Sequence, residues 1–102
     1  QIMRLEELKK LAKSFGHKYT FQVGDTLMWK DGLCNCARPF EGEVGIVLEV
    51  LAAPVRAADT SSNEAGACND IVIGILDDEG GLLHYLMDSR RFRPADQSKR
   101  GA

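Results

Sequence analysis

The change of hydrophobic period at Gly16 limits the possible folds of this chain more than any other feature. Before Gly16 the apolar residues recur at helical spacing, whereas after it they gather in short segments separated by turn signals such as Asp31–Gly32 and DEGG at 78–81. These segments are TLMWK (26–30), VGIVLEVL (44–51), DIVIGILD (70–77), LLHYLMD (82–88) and RFR (91–93). A sheet of five such strands has to curl to protect its edges. We therefore expect an α+β, mainly β fold, with an N-terminal amphipathic helix followed by a small five-stranded, partly open barrel.

The segment before the period change, residues 2–16, is predicted to form the helix, which Gly16 ends. Its apolar stripe consists of Leu5, Leu8, Leu11, Ala12 and Phe15. Such a stripe is expected to be buried, either on the barrel of the same chain or on a second copy. The sequence therefore predicts a homo-oligomer, with a dimer favoured, in which these five residues form the contact.

The length of 102 residues predicts one domain, with the barrel over 19–94 and a flexible tail over 95–102. Residues 52–69 are small, polar and aperiodic, which indicates either a long mobile loop or an insertion between two strands. No stretch of 18 apolar residues occurs, so neither a transmembrane helix nor a membrane partner is expected. Charges interrupt residues 2–15 every few positions, which argues against a signal peptide.

The three cysteines, Cys34, Cys36 and Cys68, form an odd number in a short chain. This argues against a secreted disulfide framework and predicts a reducing compartment, the cytoplasm. A single Cys-x-Cys pair lacks the two close pairs that a structural zinc site usually needs. We therefore expect neither a metal nor another cofactor.

Charge is distributed unevenly, although the net charge is only −2. Residues 1–18 carry five Lys or Arg against two Glu, residues 70–88 carry five acids and no Lys or Arg, and residues 89–102 carry five Lys or Arg against one Asp. One interpretation is that the basic ends pack near the acidic strands and neutralise them. The other is that the ends form a basic surface for an anionic partner.

Two resemblances support a small β domain. The segment VGDTLMWKDGL…EGEVGIVLEV, with Gly24, Asp25, Gly45 and Val47 at the matching positions, resembles SH3-like small barrels of the KOW and Tudor kind. Over residues 21–94, the motifs GDTLMWKDGL, GIVLEV, DIVIG and DSRRFRP resemble a family of small, uncharacterised bacterial proteins, a kind that also occurs in mobile gene cassettes. The first resemblance implies an SH3-like barrel. The second supports the same kind of fold and implies an accessory role, and it supplies no activity.

The densest polar motif is DSRRFRP at 88–94. Arg90 and Arg91 beside an aromatic ring could bind phosphate, carboxylate or stacked bases. Alternatively, Asp88 binds one arginine and Phe92 fills the core. Trp29 and Phe40 would form an aromatic binding platform if both faced solvent, whereas a buried Trp29 would belong to the core.

His84 is the remaining candidate site residue. Its place in LLHYLMD favours a partly buried structural histidine, and no serine or cysteine lies near it in sequence. Acids 77–79 precede Gly80–Gly81, where a hairpin turn requires such residues. The sequence therefore identifies no catalytic residues.

Three functional hypotheses follow. The leading one is a non-catalytic module that binds a peptide, a nucleic acid or a small anionic ligand near Trp29, Phe40, His84, Arg90 and Arg91. The alternative is a homo-oligomeric structural or regulatory protein that assembles through the helix and presents the barrel to a protein partner. A small enzyme that uses His84 is the third.

Overall fold

The structure is a computed structural model that describes residues 2–56 and 68–95. Its elements are the helix α1 (Ile2–Gly16), the strands β1 (Thr26–Trp29), β2 (Gly45–Arg56), β3 (Cys68–Leu76) and β4 (Leu82–Met87), a 3₁₀ helix (Ser89–Arg91) and the strand β5 (Phe92–Pro94). Within these ranges no helix is both long and apolar enough to cross a lipid bilayer.

The five strands form one antiparallel sheet in the order β4-β3-β2-β1-β5. Strands β1 to β4 follow one another as a meander, and β5 then pairs with the free side of β1. Because β4 and β5 are the two edges, the sheet of the described residues is not closed into a barrel. The predicted class, a helix followed by five strands in a mainly β fold, is confirmed, and the sheet is open.

One face of the sheet carries the core. Alternate residues of the strands point to this face, and Leu27, Val47, Ile73 and Phe92 are almost completely buried there. The Trp29 ring stacks on the Phe92 ring with 4.3 Å between centroids. The core thus extends as far as the edge strand β5, where Phe92 is the register partner of Trp29.

Strands β2 and β3 extend further into the predicted 52–69 loop than the sequence indicated. Residues 52–56 belong to β2 and residues 68–69 to β3, so this part of the loop prediction is wrong. The pairing is irregular between Val50 and Val55, and Pro54, which has no N–H to donate, lies in that irregular stretch. This irregularity explains why the period-2 signal disappears. Residues 57–67 lie outside the described residues, as do 96–102 of the predicted tail.

Candidate functional site

The position of α1 is fixed at its C-terminal end. Lys30, at the end of β1, is 4% exposed, and its Nζ donates hydrogen bonds to the carbonyl oxygens of Ser14 and His17. A cation at this place also offsets the negative end of the helix dipole. Burial lowers the pKa of Lys30, and attraction to Asp88 opposes this shift only in part. The helix end and the end of β1 are therefore connected through a single buried amine.

A second contact sets the distance between helix and sheet. Gly32 has a φ of +78°, and a Cβ placed on it would lie 2.6 Å from Cδ2 of Leu11. The Leu11 side chain therefore occupies the space that any other residue at position 32 would need. Together with Lys30, this contact brings the last turns of α1 close to β1 and β5.

A basic cleft lies between the end of α1 and the sheet, with a volume of about 600 Å³ and an opening to solvent. The residues that line this basic cleft are Lys10, Lys13, Ser14, His17, Tyr19, Lys30, Asp31 and Arg93. The rings of His17 and Tyr19 meet edge to face with 4.6 Å between centroids and form an aromatic wall. The cleft thus combines cations with an aromatic surface.

Three cations of the basic cleft are not paired with a carboxylate in the described part of the chain. Among the described residues, no carboxylate forms an ion pair with Lys10, Lys13 or Arg93. Arg93 makes one long contact, 3.5 Å from its Nη1 to the Pro94 carbonyl oxygen. Asp31 is the one acidic residue in the lining. The arrangement can therefore attract an anion and leave several donors available to it.

The predicted aromatic platform is not formed, because Trp29 is in the core. Its side chain is 3% exposed, and its Nε1 donates a hydrogen bond of 2.6 Å to the Pro39 carbonyl oxygen. Phe40 is exposed, and the guanidinium carbon of Arg38 lies 4.4 Å from the Phe40 ring centroid. The structure thus separates the two aromatic residues that the platform required.

Arg90 and Arg91 both bind to other parts of the protein. Arg90 forms a two-pronged ion pair with Asp88, with Nε–Oδ1 at 3.0 Å and Nη2–Oδ2 at 2.6 Å. Arg91 donates from Nη1 to the Leu33 carbonyl oxygen at 3.1 Å. Both guanidinium groups lie on the Phe15 ring, at 4.4 Å and 5.1 Å from its centroid. The structural interpretation of DSRRFRP is confirmed for Asp88 and Phe92, since the first binds an arginine and the second is in the core.

Both interpretations of the uneven charge find support. Lys18 pairs with Asp70 at 3.1 Å, and the N–H and hydroxyl of Ser89 each donate to that carboxylate at 2.8 Å. Here the basic ends do neutralise the acidic middle. In the basic cleft, by contrast, Lys10, Lys13 and Arg93 come together without an ion pair to any carboxylate of residues 2–56 and 68–95.

His84 lies on the exposed face of β4, directly across from Gly74 in β3. This differs from the partly buried position that the sequence predicted. His84 lines neither the basic cleft nor the groove near Tyr19 and Asp70. Asp77 accepts hydrogen bonds from the N–H groups of Glu79 and Gly81, as expected for turn residues. In the described part of the chain, His84 therefore has no hydrogen-bonded carboxylate or nucleophile beside it.

The cysteines are free thiols. The Cys34 thiol donates to the Cys36 carbonyl oxygen at 3.3 Å, and Cys68 begins β3. No group of three or more His, Cys, Asp or Glu residues within 2–56 and 68–95 is placed to bind a metal ion.

The predicted helix stripe is divided between two environments. Leu11 and Phe15 are half-buried against the sheet and the 3₁₀ helix, whereas Leu5, Leu8 and Ala12 are exposed. Burial of the whole stripe on the same chain is therefore ruled out, because only the last turns of α1 reach the sheet. The contact with a second copy remains a prediction.

The residues of the basic cleft were not singled out from the sequence, although a signal for them exists. Lys10 and Lys13 belong to the basic N-terminal segment and Arg93 to the basic C-terminal one, and β5 brings the two segments together. The function of this cleft has to be inferred from its own chemistry. Comparison of the chain with protein-family models, with curated proteins and with solved structures found no match.

Proposed function

We propose that this chain is a non-catalytic binding module whose ligand is a small anionic molecule held in the basic cleft. The observation that carries the proposal is that Lys10, Lys13 and Arg93 line a cleft of about 600 Å³ and form no ion pair with a carboxylate of the described residues. That volume is within the usual range for small-molecule sites. The net charge of −2 favours a small anion over a nucleic acid, which a broad basic surface would attract.

The chemistry of the lining defines the class of ligand. The two lysines supply mobile point charges, and Arg93 supplies a planar donor group suited to a carboxylate or phosphate. The aromatic wall of His17 and Tyr19 offers a surface for a flat or apolar part of the same molecule. The helix C-terminus would repel an anion, but Lys30 on its carbonyl oxygens offsets that repulsion. The proposed ligand therefore has one anionic group attached to a ring.

A charge reversal in the basic cleft is expected to weaken binding. Adenosine monophosphate serves as the probe in isothermal titration calorimetry, with adenosine as the uncharged comparison. Lys13→Glu should weaken binding of the monophosphate by about tenfold, because one attraction becomes a repulsion in a partly exposed site. Binding should also weaken as salt is added.

Lys9→Glu is the matched control for this experiment. Lys9 lies on the same helix, is exposed and does not line the cleft, and the change in charge is identical. Equal losses for Lys13→Glu and Lys9→Glu would contradict the proposed site, since they would indicate only a general charge effect. Equal binding of adenosine and its monophosphate would contradict an anionic ligand.

A second proposed function is assembly of a homodimer through α1. The observation that favours it is the exposure of Leu5 and Leu8, which lie one turn apart on the same side of the helix, beyond the part that touches the sheet. Exposed large aliphatic side chains grouped on a helix are typical of a protein contact. Such a dimer could present the sheet or the cleft to a protein partner.

The assembly proposal predicts a dimer in solution that depends on the helix. Light scattering of the full chain should give twice the chain mass, and Leu8→Glu should give the mass of one chain, because a carboxylate is costly to bury at an apolar contact. A wild-type chain that stays monomeric at concentrations up to about 1 mM would contradict it.

A cytoplasmic location is also part of the proposal. The support for it is that Cys34, Cys36 and Cys68 are all free thiols, as a reducing compartment would keep them. Localisation of a tagged full chain by cell fractionation would test it.

A further inference from the structure

The face of the sheet opposite the core is apolar as well. Side chains of β2, β3 and β4 point to this outer face, and its exposed aliphatic residues are Ile46, Leu48, Leu76, Leu82 and Leu86. They are neighbours across the ladder, since Leu76 pairs with Leu82, and Gly74 pairs with both Ile46 and His84. At the centre, a Cβ on Gly74 would lie within 3.0 Å of Leu48 and Leu82 side-chain atoms. These residues therefore form one continuous apolar patch, here called the outer patch.

The charges around the outer patch are acidic. Glu49 pairs with Val72 at one end, and Asp78 and Glu79 are exposed in the turn between β3 and β4 at the other. Residues 45–55 and 68–88 contain no lysine or arginine. The Arg38 guanidinium, which donates to the Leu76 carbonyl oxygen at the edge of the patch, is already paired with Glu43. The patch therefore suits an apolar partner that carries positive charge.

The exposed half of α1 has this character. Leu5 and Leu8 are exposed, and at helical spacing Arg4 and Lys9 flank them. Glu6 and Glu7 lie further around the helix. In the structure the two surfaces do not meet, because α1 is fixed by Lys30 and Gly32 at the end of β1, whereas the outer patch spans β2 to β4. One chain thus carries two complementary apolar surfaces, and each lacks a partner among the described residues.

We infer that the outer patch is the docking site for α1 of a second copy of this chain. The inference rests on the proposed assembly through α1 and identifies the surface that receives the helix. Charge selects this pairing over its alternatives: two outer patches face to face would bring acids together, and two helices side by side would bring cations together. When each helix lies on the sheet of the other chain, the contact occurs twice and closes a two-fold dimer.

Three single substitutions of equally exposed residues test the inference in the full chain. Leu8 on the helix is 64% exposed, Leu82 in the outer patch is 63% exposed, and Val23, which is in neither surface, is 66% exposed. Each is replaced by Glu, so that the change in charge is the same, and circular dichroism checks that each variant is folded. The dissociation constant of the dimer, measured by sedimentation, should rise at least about tenfold for Leu8→Glu and for Leu82→Glu. For Val23→Glu it should stay within about twofold of the wild-type value.

Mixing the two weakened variants tests the pairing itself. Leu8→Glu leaves the outer patch intact, and Leu82→Glu leaves the helix intact, so an equimolar mixture can form one of the two contacts. The mixture should associate more tightly than either variant alone and less tightly than the wild type. A mixture that associates no better than the separate variants would overturn the inference, because contacts between identical surfaces are not restored by mixing.

The outcomes separate this inference from the assembly on which it depends. If Leu8→Glu dissociates the dimer and Leu82→Glu does not, assembly through α1 stands and the outer patch as its docking site is overturned. A monomeric wild type overturns both. Loss of adenosine monophosphate binding bears on neither, because the basic cleft lies outside both surfaces.

Discussion

Replacing Phe92 with alanine is expected to remove a large part of the stability of this domain. Phe92 is 0% exposed and stacks on Trp29. It lies in β5, the edge strand that pairs with β1 on the side away from β2. Removal of a fully buried phenylalanine costs about 3–5 kcal/mol, partly from lost burial and partly from the cavity that remains. Small domains are stable by only about 5–15 kcal/mol, so the variant should unfold at a much lower urea concentration. Urea unfolding followed by circular dichroism measures this difference.

Phe40→Ala is the matched control, because the same side chain is removed from a position that is 57% exposed. Its main contact is with the Arg38 guanidinium, so the expected loss of unfolding free energy is below about 1 kcal/mol. Similar losses for the two variants would contradict the burial of Phe92 in the core.

The positions of the strands could be predicted because they depend on local signals. The turn at Asp31–Gly32 and the DEGG turn separate short apolar segments, and the structure has strands in each of them. The burial of Trp29 could not be decided in the same way. Alternation identifies the buried face of a strand only when the other face is polar, and in β1 the face opposite Leu27 and Trp29 carries the half-buried Met28.

The basic cleft could not be predicted because it depends on contacts between residues far apart in sequence. Lys13 and Arg93 are separated by most of the chain, and they come together because β5 pairs with β1 and because Lys30 binds the end of α1. Neither contact leaves a periodic pattern. The uneven distribution of charge was the available signal, and it fits neutralisation of the acidic strands as well as a basic surface.

The ion pair of Asp88 with Arg90 is expected to be the most important polar contact for stability. The Asp88 carboxylate is 7% exposed and accepts hydrogen bonds from the Arg90 backbone and guanidinium and from the backbone N–H of Cys68. It thereby connects the start of β3 to the 3₁₀ helix before β5. Asp88→Ala leaves several donors without an acceptor, and the expected loss of unfolding free energy at pH 7 is about 3 kcal/mol. Urea unfolding measures it, with the exposed turn residue Asp78 replaced by alanine as the control.

The stabilisation of the fold by the Asp88 carboxylate should disappear at acidic pH. Burial raises the pKa of Asp88, but the hydrogen bonds from Arg90 and Cys68 lower this pKa by a larger amount. The net shift is therefore downward from the ordinary value of 3.8. In the unfolded chain the carboxyl titrates near that ordinary value. Because the folded pKa is the lower of the two, the stabilisation is fully present above the unfolded pKa and is lost as the pH falls through the folded pKa.

The difference in stability between the wild type and Asp88→Ala should therefore be constant from pH 7 to about pH 5 and should shrink below about pH 4. The difference for Asp78→Ala should stay near zero over the same range, since this side chain is exposed in the turn. A difference for Asp88→Ala that does not depend on pH would mean that the carboxylate stabilises the fold through packing. The charge of Asp88, and with it the ion pair to Arg90, would then not be what fixes β5 to the rest of the sheet.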